Sequence, residues 1–374
     1  MRFAMEQLYI LCLSKEFWDN PRRARKQFLY EALVRHQSVA EVVYVNPYHH
    51  RWRSNPLVNL THPRIRILQG RFLLPGERIS CVRRINRRHA YPGLRKAMSH
   101  RSFWHIIYSN PLDVTLARLL MNEGSVFFDW TDDWEKYYGQ RAMGAAQDSA
   151  IKMVSGVIVV SEKLRERASE LRGSDQDILV LPNATMWKPI ENLPCPEEIS
   201  RIPTPRLGYL GHLGPWFDKE LVIALSHARP HWHWVMVGNS DPSLRERFHG
   251  ISNIHLLGQK PFSVLQCYMA HCQVLVAPYH KDLSGDATKL YDYMTLGHPI
   301  ISTELETAFR LQPFVRTATS ANSWLRAIEE ALEEKNPVFR ERRRNESLRH
   351  TWDVRASDLV NWIQGRKKEL KREG

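Results

Sequence analysis

The sequence predicts an α/β protein of two consecutive units, each a mostly parallel sheet flanked by helices. Three observations predict it. Short β-branched runs alternate with helical patterns along most of the chain, which is the signature of βα units. With 374 residues, the chain has room for about two domains of 100–200 residues. Between residues 187 and 205 the alternation stops in a stretch holding Pro189, Pro194, Pro196, Pro203 and Pro205, then starts again. That stretch reads as a linker.

In the first half, Leu8–Leu13 is an apolar run of strand length. Asn20-Pro21 opens a helical pattern with Phe28, Leu29, Leu33 and Val34 at its apolar positions. Residues 42–45, Ile65–Leu68, 106–108 and 126–128 are further strand candidates. The basic stretch 78–96 has a helical pattern that Pro92-Gly93 interrupts. Residues 157–160 form a strand, and Ser161 is placed to cap a helix over 163–168. Residues 178–181 end the half at Pro182-Asn183. The second half repeats the pattern, with strands at 207–210, 234–237, 254–257, Val274–Ala277 and 300–301. Helices are expected at 220–228, 263–270, 289–296 and 323–332, with a charged helical tail at 340–371.

Composition narrows the function classes. Formal net charge is +13, which speaks to anionic partners rather than to fold. From Arg51 to Arg101 there are thirteen Arg or Lys and one acid, Glu77. The five cysteines are odd in number and include no C-x-x-C pair, so neither a zinc site nor a disulfide framework is expected, and a cytoplasmic location is. Glu6 stands before the short apolar run, which reads as a strand and not a secretory signal. No run of about eighteen apolar residues exists to form a membrane span. The basic region carries no named nucleic-acid motif. Binding at an anionic membrane surface fits it better, with a merely solvated face as the plain alternative.

Three segments carry chemistry. Gly208-Tyr-Leu-Gly211-His212-Leu-Gly214 follows a strand and leads into a helix. Glycines there let backbone approach a phosphate beside a helix N-terminus, although the G-x-G-x-x-G spacing is absent; a tight turn is the alternative. Ser284-Gly285-Asp-Ala-Thr288-Lys289-Leu-Tyr-Asp292 runs from a loop of small residues into a helix. A hydroxyl and an ammonium at that end suit a diphosphate, and Asp292 suits ribose hydroxyls; a surface Asp–Lys pair is the alternative. Phe127-Phe-Asp129-Trp-Thr-Asp132-Asp133-Trp134 brings three carboxylates and two indoles to a strand end. A carboxylate there is a candidate general base, with helix capping as the alternative. Trp18 and Arg22, just after the first strand, are candidates for an acceptor side.

The stretch Thr288-Lys-Leu-Tyr-Asp-Tyr-Met-Thr-Leu-Gly-His-Pro-Ile-Ile-Ser resembles the donor-binding helix of GT-B glycosyltransferases, where a Lys-Leu-x-Glu-Tyr-x-Ala-x-Gly-x-Pro-Val-Val pattern is common. Leu207-Gly-Tyr-Leu-Gly, Val235-Met-Val-Gly, Asn253-Ile-His-Leu-Leu-Gly and Val274-Leu-Val-Ala-Pro-Tyr occur around it in the matching order. In the first half, Gly156-Val-Ile-Val-Val-Ser161 and Val180-Leu-Pro-Asn183 resemble the end of the acceptor domain. The chain looks similar to the bacterial polysaccharide and teichuronic-acid-type transferases (family 4-like, group 1).

The resemblance implies a GT-B fold: two Rossmann-like domains facing across a cleft. The implied boundaries are 1–188 for the acceptor domain, 189–205 for a linker and 206–345 for the nucleotide-sugar domain. Residues 346–374 are expected as a final helix returning to the first domain. It implies transfer of a sugar from a nucleoside-diphosphate sugar to a glycan or lipid-linked acceptor in bacterial cell-surface glycan synthesis. A nucleotide-sugar is then a co-substrate, no metal or other cofactor is required, and nucleic acid is not a partner. The protein is expected in the cytoplasm or peripherally at the inner face of the plasma membrane. Gly211, His212, Gly238, Lys260, Phe262, Gly285, Thr288, Lys289 and Asp292 are the implied donor-binding residues. Asp132 is the implied base, with Asp129 and Asp133 as substitutes. Many retaining members carry two glutamates separated by seven residues; Ser284 and Asp292 stand at those positions here, which points to inversion. A sugar-nucleotide epimerase of the same fold, or a non-catalytic nucleotide-sugar or membrane-binding protein, are the rival readings.

Overall fold

The computed structural model describes residues 7–14, 16–18, 23–47, 62–69, 74, 79–89, 93–100, 103–133, 141–280 and 285–373. The chain divides into two compact units. The first takes Met1–Pro182 with Trp352–Gly374, and the second takes Asn183–Thr351.

Among the described residues, the first unit holds seven parallel strands: β1 (Leu8–Leu13), β2 (Val39–Val45), β3 (Ile65–Leu68), β4 (Trp104–Tyr108), β5 (Gly124–Trp130), β6 (Gly156–Val159) and β7 (Ile178–Val180). Their spatial order is β3-β2-β1-β4-β5-β6-β7. The strands are apolar almost without interruption because helices cover both faces of a parallel sheet. Leu11, Leu13, Ile106, Tyr108, Val126, Phe128 and Val157 form one core with Trp104 and Trp130, all essentially without solvent contact.

Among the described residues, the second unit holds six parallel strands: β8 (Arg206–Leu210), β9 (His233–Val237), β10 (Ile254–Gly258), β11 (Val274–Ala277), β12 (Ile300–Thr303) and β13 (Val315–Ala318). Their order is β10-β9-β8-β11-β12-β13. Successive side chains of a strand point to opposite faces. Accordingly Val235 and Val237 join one core with Leu275 and Leu290, while Trp234 and Met236 join the other with Val276 and Trp324. In each sheet, strand order reverses beside the first strand, between β1 and β4 and between β8 and β11. Such a reversal parts the loops at the carboxyl ends of two neighbouring strands and leaves a crevice for a ligand.

Three expectations change. The stretch 189–205 is not a free linker. With residues 183–188 it belongs to the second unit, where Trp187, Ile199 and Ile202 are buried in the core. The prolines set its path, but apolar burial decides where it packs. The tail divides later than residue 346: the helix Pro337–Ser347 stays in the second unit, and the helix Trp352–Glu373 packs in the first. There Trp352 stacks on Phe28 at 6.3 Å, Trp362 meets Phe127 at 5.2 Å, and Arg366 donates to the Ser155 carbonyl at 2.7 Å. Finally, β5 runs to Trp130, so Asp129 lies inside the strand and not on the loop after it.

Among the described residues, no helix is long and apolar enough to cross a membrane.

Candidate functional site

In the second unit, the strand reversal brings together the ends of β8 and β11. β8 runs out through Tyr209 and Leu210 to Gly211, and β11 through Ala277 to Pro278 and Tyr279. The helix Thr288–Leu296 follows β11, and its second residue, Lys289, lies over both ends. The Lys289 ammonium sits 3.7 Å from the centroid of the Tyr209 ring and 4.8 Å from that of Tyr279. A Cβ placed on Gly211 would lie 2.8 Å from Lys289 Nζ.

Gly211 and Gly238 serve by lacking a side chain. A Cβ on Gly238 would come 2.0 Å from the Gly211 carbonyl oxygen, and both residues have positive φ, +134° and +147°. No L side chain fits there. Their amides are not free for a phosphate, because Gly211 donates to the Val237 carbonyl and Gly238 to that of Gly258, each at 2.9 Å. The polar side chain placed at this point is therefore that of Lys289, and Thr288 precedes it in the first turn of the helix, where backbone donors are left without partners in the helix.

No carboxylate among the described residues forms an ion pair with Lys289. Burial pushes the lysine well below its ordinary value, and Asp292 opposes this only at a distance. Asp292 lies on the same helix but turns to the segment entering the unit: its Oδ1 accepts from Met186 N at 2.7 Å and Thr185 Oγ1 at 2.9 Å. It is 1% exposed, and burial raises its carboxyl to about 7 against these hydrogen bonds. In this structure Asp292 fastens the helix to residues 185–186; its Oδ1 is not offered to a ribose.

Asp286 was not singled out by sequence, yet it fixes the approach to the helix. Its Oδ1 accepts from Thr307 Oγ1 at 2.6 Å, Arg310 at 3.1 Å and Tyr291 at 3.1 Å, while Oδ2 accepts from Asn183 N at 2.6 Å. A buried carboxylate with four donors holds a loop in one place. The only sequence signal was its position in a small-residue loop before a helix. Gly285 directly precedes it; Ser284 lies outside the described residues.

The remaining donor candidates divide. His212, 38% exposed at its side chain, contacts the Asn239 carbonyl at 3.0 Å and lies 3.6 Å from Asp241. Lys260 is already engaged: it pairs with Glu198 at 2.7 Å, and Glu198 also accepts from Tyr268. Phe262 opens a short 3-10 turn and packs, half-buried, against the core. The structure thus gathers Gly211, Gly238, Thr288 and Lys289, and gives Asp292 and Lys260 to internal contacts.

The first unit sorts the three candidate bases. Asp129 is 1% exposed and lies between Lys26, its ion-pair partner, and Arg25 at 3.5 Å. Burial pushes its carboxyl up, but the two cations outweigh this and hold it below its ordinary value. Arg25 also donates to the Leu181 and Pro182 carbonyls at 2.9 and 3.2 Å. This cluster ties the helix Arg25–Arg35 to β5 and the end of β7; Asp129 is a structural counter-ion, which corrects its place among the bases. Asp133 is buried and paired with Arg167, whose guanidinium lies 5.6 Å from the Trp130 ring centroid. Asp132 alone of the three is half-exposed. Its carbonyl accepts from Trp130 Nε1 at 2.8 Å, which fixes the turn, and its carboxylate accepts from Thr131 Oγ1 at 3.0 Å. Trp18 is 7% exposed, bonded through its amide to Asn46 Oδ1 at 2.9 Å and set edge-on to Tyr44. That is a packing role and corrects the acceptor-side reading. Arg22 and Trp134 lie outside the described residues.

Among the described residues, no group of three or more His, Cys, Asp or Glu side chains is arranged to hold a metal.

Residues 204–334 match the family "Glycosyl transferases group 1". This is the part of the chain that contains β8–β13 and the Lys289 cluster. The putative teichuronic acid biosynthesis glycosyltransferase TuaH of Bacillus subtilis is 23% identical over 168 residues, which is 42% of this chain and 42% of that protein. Among solved structures, the sucrose-phosphate synthase of Thermosynechococcus elongatus superposes with a TM-score of 0.73 at 16% identity, over 97% of this chain and 100% of that one. HepE of Anabaena, in complex with UDP and glucose, superposes with a TM-score of 0.68 at 13% identity, over 96% and 100%. The fold is GT-B, with two Rossmann-like domains. The resemblance to group 1 GT-B glycosyltransferases thus stands on sequence for the second unit and on fold for the chain.

Proposed function

We propose that the protein is an inverting glycosyltransferase that moves a sugar from a nucleoside-diphosphate sugar to an acceptor hydroxyl in cell-surface glycan synthesis. The observation that carries this reading is the Lys289 side chain, its Nζ held against Gly211 at the strand reversal of the second sheet without an ion-pair partner among the described residues. A lysine so placed calls for an anion from outside to hold its charge. A diphosphate suits it because the Thr288 hydroxyl and the helix N-terminus add donors beside it. The match of residues 204–334 to group 1 glycosyltransferases, and the UDP and glucose in HepE of Anabaena, support a sugar nucleotide as its source.

In the proposed reaction the acceptor oxygen attacks the sugar C1 from the face opposite the diphosphate. Its proton passes to Asp132, the C1–oxygen bond to the diphosphate breaks, and the electron pair leaves with the phosphate. Lys289, Thr288 and the helix N-terminus stabilise the charge that develops there. Asp132 is preferred as base because it is half-exposed, while Asp129 and Asp133 are buried. No metal is needed where a lysine and a helix end neutralise the leaving group. Asp132→Asn is expected to lower kcat by about 10²–10⁴-fold while leaving diphosphate affinity intact. Unchanged turnover in that variant removes Asp132 from the mechanism.

A lipid-linked acceptor at the inner face of the plasma membrane is the finer proposal. The helix Ser80–His89 carries Arg83, Arg84, Arg87 and Arg88 in sequence, with Ile85 exposed and Ile79 exposed just before it. Cations with exposed apolar side chains suit an anionic lipid surface. Flotation with vesicles that contain phosphatidylglycerol, but not with neutral vesicles, is the expected result; no difference between them ends the membrane proposal.

The donor reading is tested by a thermal-shift panel of nucleoside diphosphates and their sugars. A rise in Tm with one or two of them is expected. No rise with any, at about millimolar concentration and above, defeats the reading.

A further inference from the structure

The Lys289 site holds a feature that phosphate binding alone does not require: two tyrosine rings flank the half-buried amine. Tyr209, on β8, is 0% exposed and Tyr279, after β11, is 5% exposed. The rings meet edge-on with centroids 6.4 Å apart, and Lys289 Nζ lies within 5 Å of both centroids. The Tyr209 ring is fixed by its own contacts, and the Tyr279 backbone is anchored beside it. Tyr209 donates its hydroxyl to the His212 carbonyl at 3.1 Å and packs edge-on against Phe217 at 4.8 Å. The Tyr279 amide donates to Thr303 Oγ1 at 3.0 Å. The Gly211 backbone also approaches the amine closely enough that a Cβ there would lie 2.8 Å from Nζ.

A ring face attracts a cation, but far less than a carboxylate or a full shell of water does. The ionisable groups around Lys289 do not make up the difference. Tyr209, Tyr279 and Tyr293 are raised by burial and stay neutral. Asp292 is turned to Thr185 and Met186. His212, on the loop after Gly211, contacts Asn239 and Asp241.

We propose that Tyr209 and Tyr279 are positioning residues that hold the Lys289 amine dry and without a counter-charge, so that a bound diphosphate supplies that charge and a proton is taken up from solvent with it. This rests on the donor-site reading above and adds a linkage to it. The proton goes to Nζ, the amine becomes an ammonium, and the diphosphate is bound fully ionised. Affinity for a diphosphate then falls as pH rises above the range in which the free enzyme's Lys289 loses its proton, because more of the binding must be preceded by protonation.

The test is calorimetric titration of the full chain with the nucleoside diphosphate that gives the largest thermal shift. It is run at about pH 8, above the second phosphate ionisation near 6, in Tris and in HEPES. Because the two buffers differ in ionisation enthalpy, proton uptake appears as a difference in the binding enthalpy between them. Uptake is expected in the wild-type protein and in Tyr279→Phe, which keeps the ring. In Tyr279→Ser, water reaches the amine, so uptake and the pH dependence of affinity are both expected to shrink. Asp292→Asn is expected to keep the uptake, and Lys289→Met to lose it. Wild-type binding with equal enthalpies in the two buffers overturns this inference and leaves the donor site standing. Uptake that survives in Lys289→Met also overturns it, by assigning the proton elsewhere. Absence of any diphosphate binding overturns both.

Discussion

Each unit places a lysine near the carboxyl end of its sheet, Lys26 buried and Lys289 half-buried, and the two differ in what they meet. Lys26 meets Asp129 within the first unit, while Lys289 meets two tyrosine rings within the second. Burial pushes both lysines down. For Lys26 a carboxylate in contact opposes that push, so the pair is self-sufficient and serves the fold. For Lys289 the carboxylate of its own helix is committed to other donors, and no other carboxylate among the described residues pairs with it. A strongly perturbed titratable group is a binding candidate when its counter-charge is missing, and a structural one when it is present.

The largest expected effect tests the self-sufficient side. Asp129→Ala leaves Lys26 and Arg25 buried without their carboxylate, and urea unfolding should show a loss of about 3–5 kcal/mol. A loss under about 1 kcal/mol would mean that water already compensates the cluster, and the contrast with Lys289 would fail. Lys289→Met tests the other side. It removes a desolvated amine and keeps most of the stem, so the free protein should be as stable as the wild type or slightly more so, while the Tm rise with diphosphate disappears. Instability comparable to that of Asp129→Ala would make Lys289 a structural residue too.

Asp292 sharpens the comparison through pH. Its carboxyl is raised from 3.8 to about 7 in the folded protein. Between those values the folded state holds a proton that the unfolded state has released, so stability falls as pH rises through this window and levels off above it. Urea unfolding at about pH 5 and about pH 8 should show that fall in the wild type, and a flatter dependence in Asp292→Asn. If Asp292 were the internal partner of Lys289, its carboxyl would titrate low and the fall would be missing. The smallest effect is expected at Asp133. Its partner Arg167 is 35% exposed at the side chain, so Asp133→Asn should cost about 1 kcal/mol or less. A cost near that of Asp129→Ala would show that the Trp130–Arg167 contact is a second buried cluster.

Much of the second unit was legible before the structure. Strands and helices alternate there with clear apolar runs, and the Thr288-Lys289-Leu-Tyr-Asp292 stretch marked the site segment. Less was legible in the first unit. The helices Val114–Leu120 and Arg141–Met153, like Pro242–Phe248 and β13 in the second unit, were not anticipated, because short segments with mixed polarity show no strong period. In the sequence Asp129 reads as a loop carboxylate because the apolar run 126–128 has the length of a whole short strand; its two cations come from residues about a hundred positions earlier. Trp18 looked like a cleft residue and is a core one, since an indole after a strand reads the same in either place. Asp286 drew no separate notice because its donors come from residues 183, 291, 307 and 310.

By itself, the sequence determined the class of the fold, the succession of βα units and the residue types at the donor segment. Those depend on local periodicity, on glycine where the backbone must crowd, and on a lysine at the start of a helix. Tertiary structure alone decided which charges are already answered. Asp129, Asp133, Lys260 and Asp292 carry chemistry as residue types, yet each is engaged by a partner distant in sequence. Lys289 is left beside Gly211, Tyr209 and Tyr279. Whether a charged group stabilises the fold or awaits a ligand depends on its surroundings within a few ångströms, and parallel strands assemble those surroundings from segments far apart in the chain.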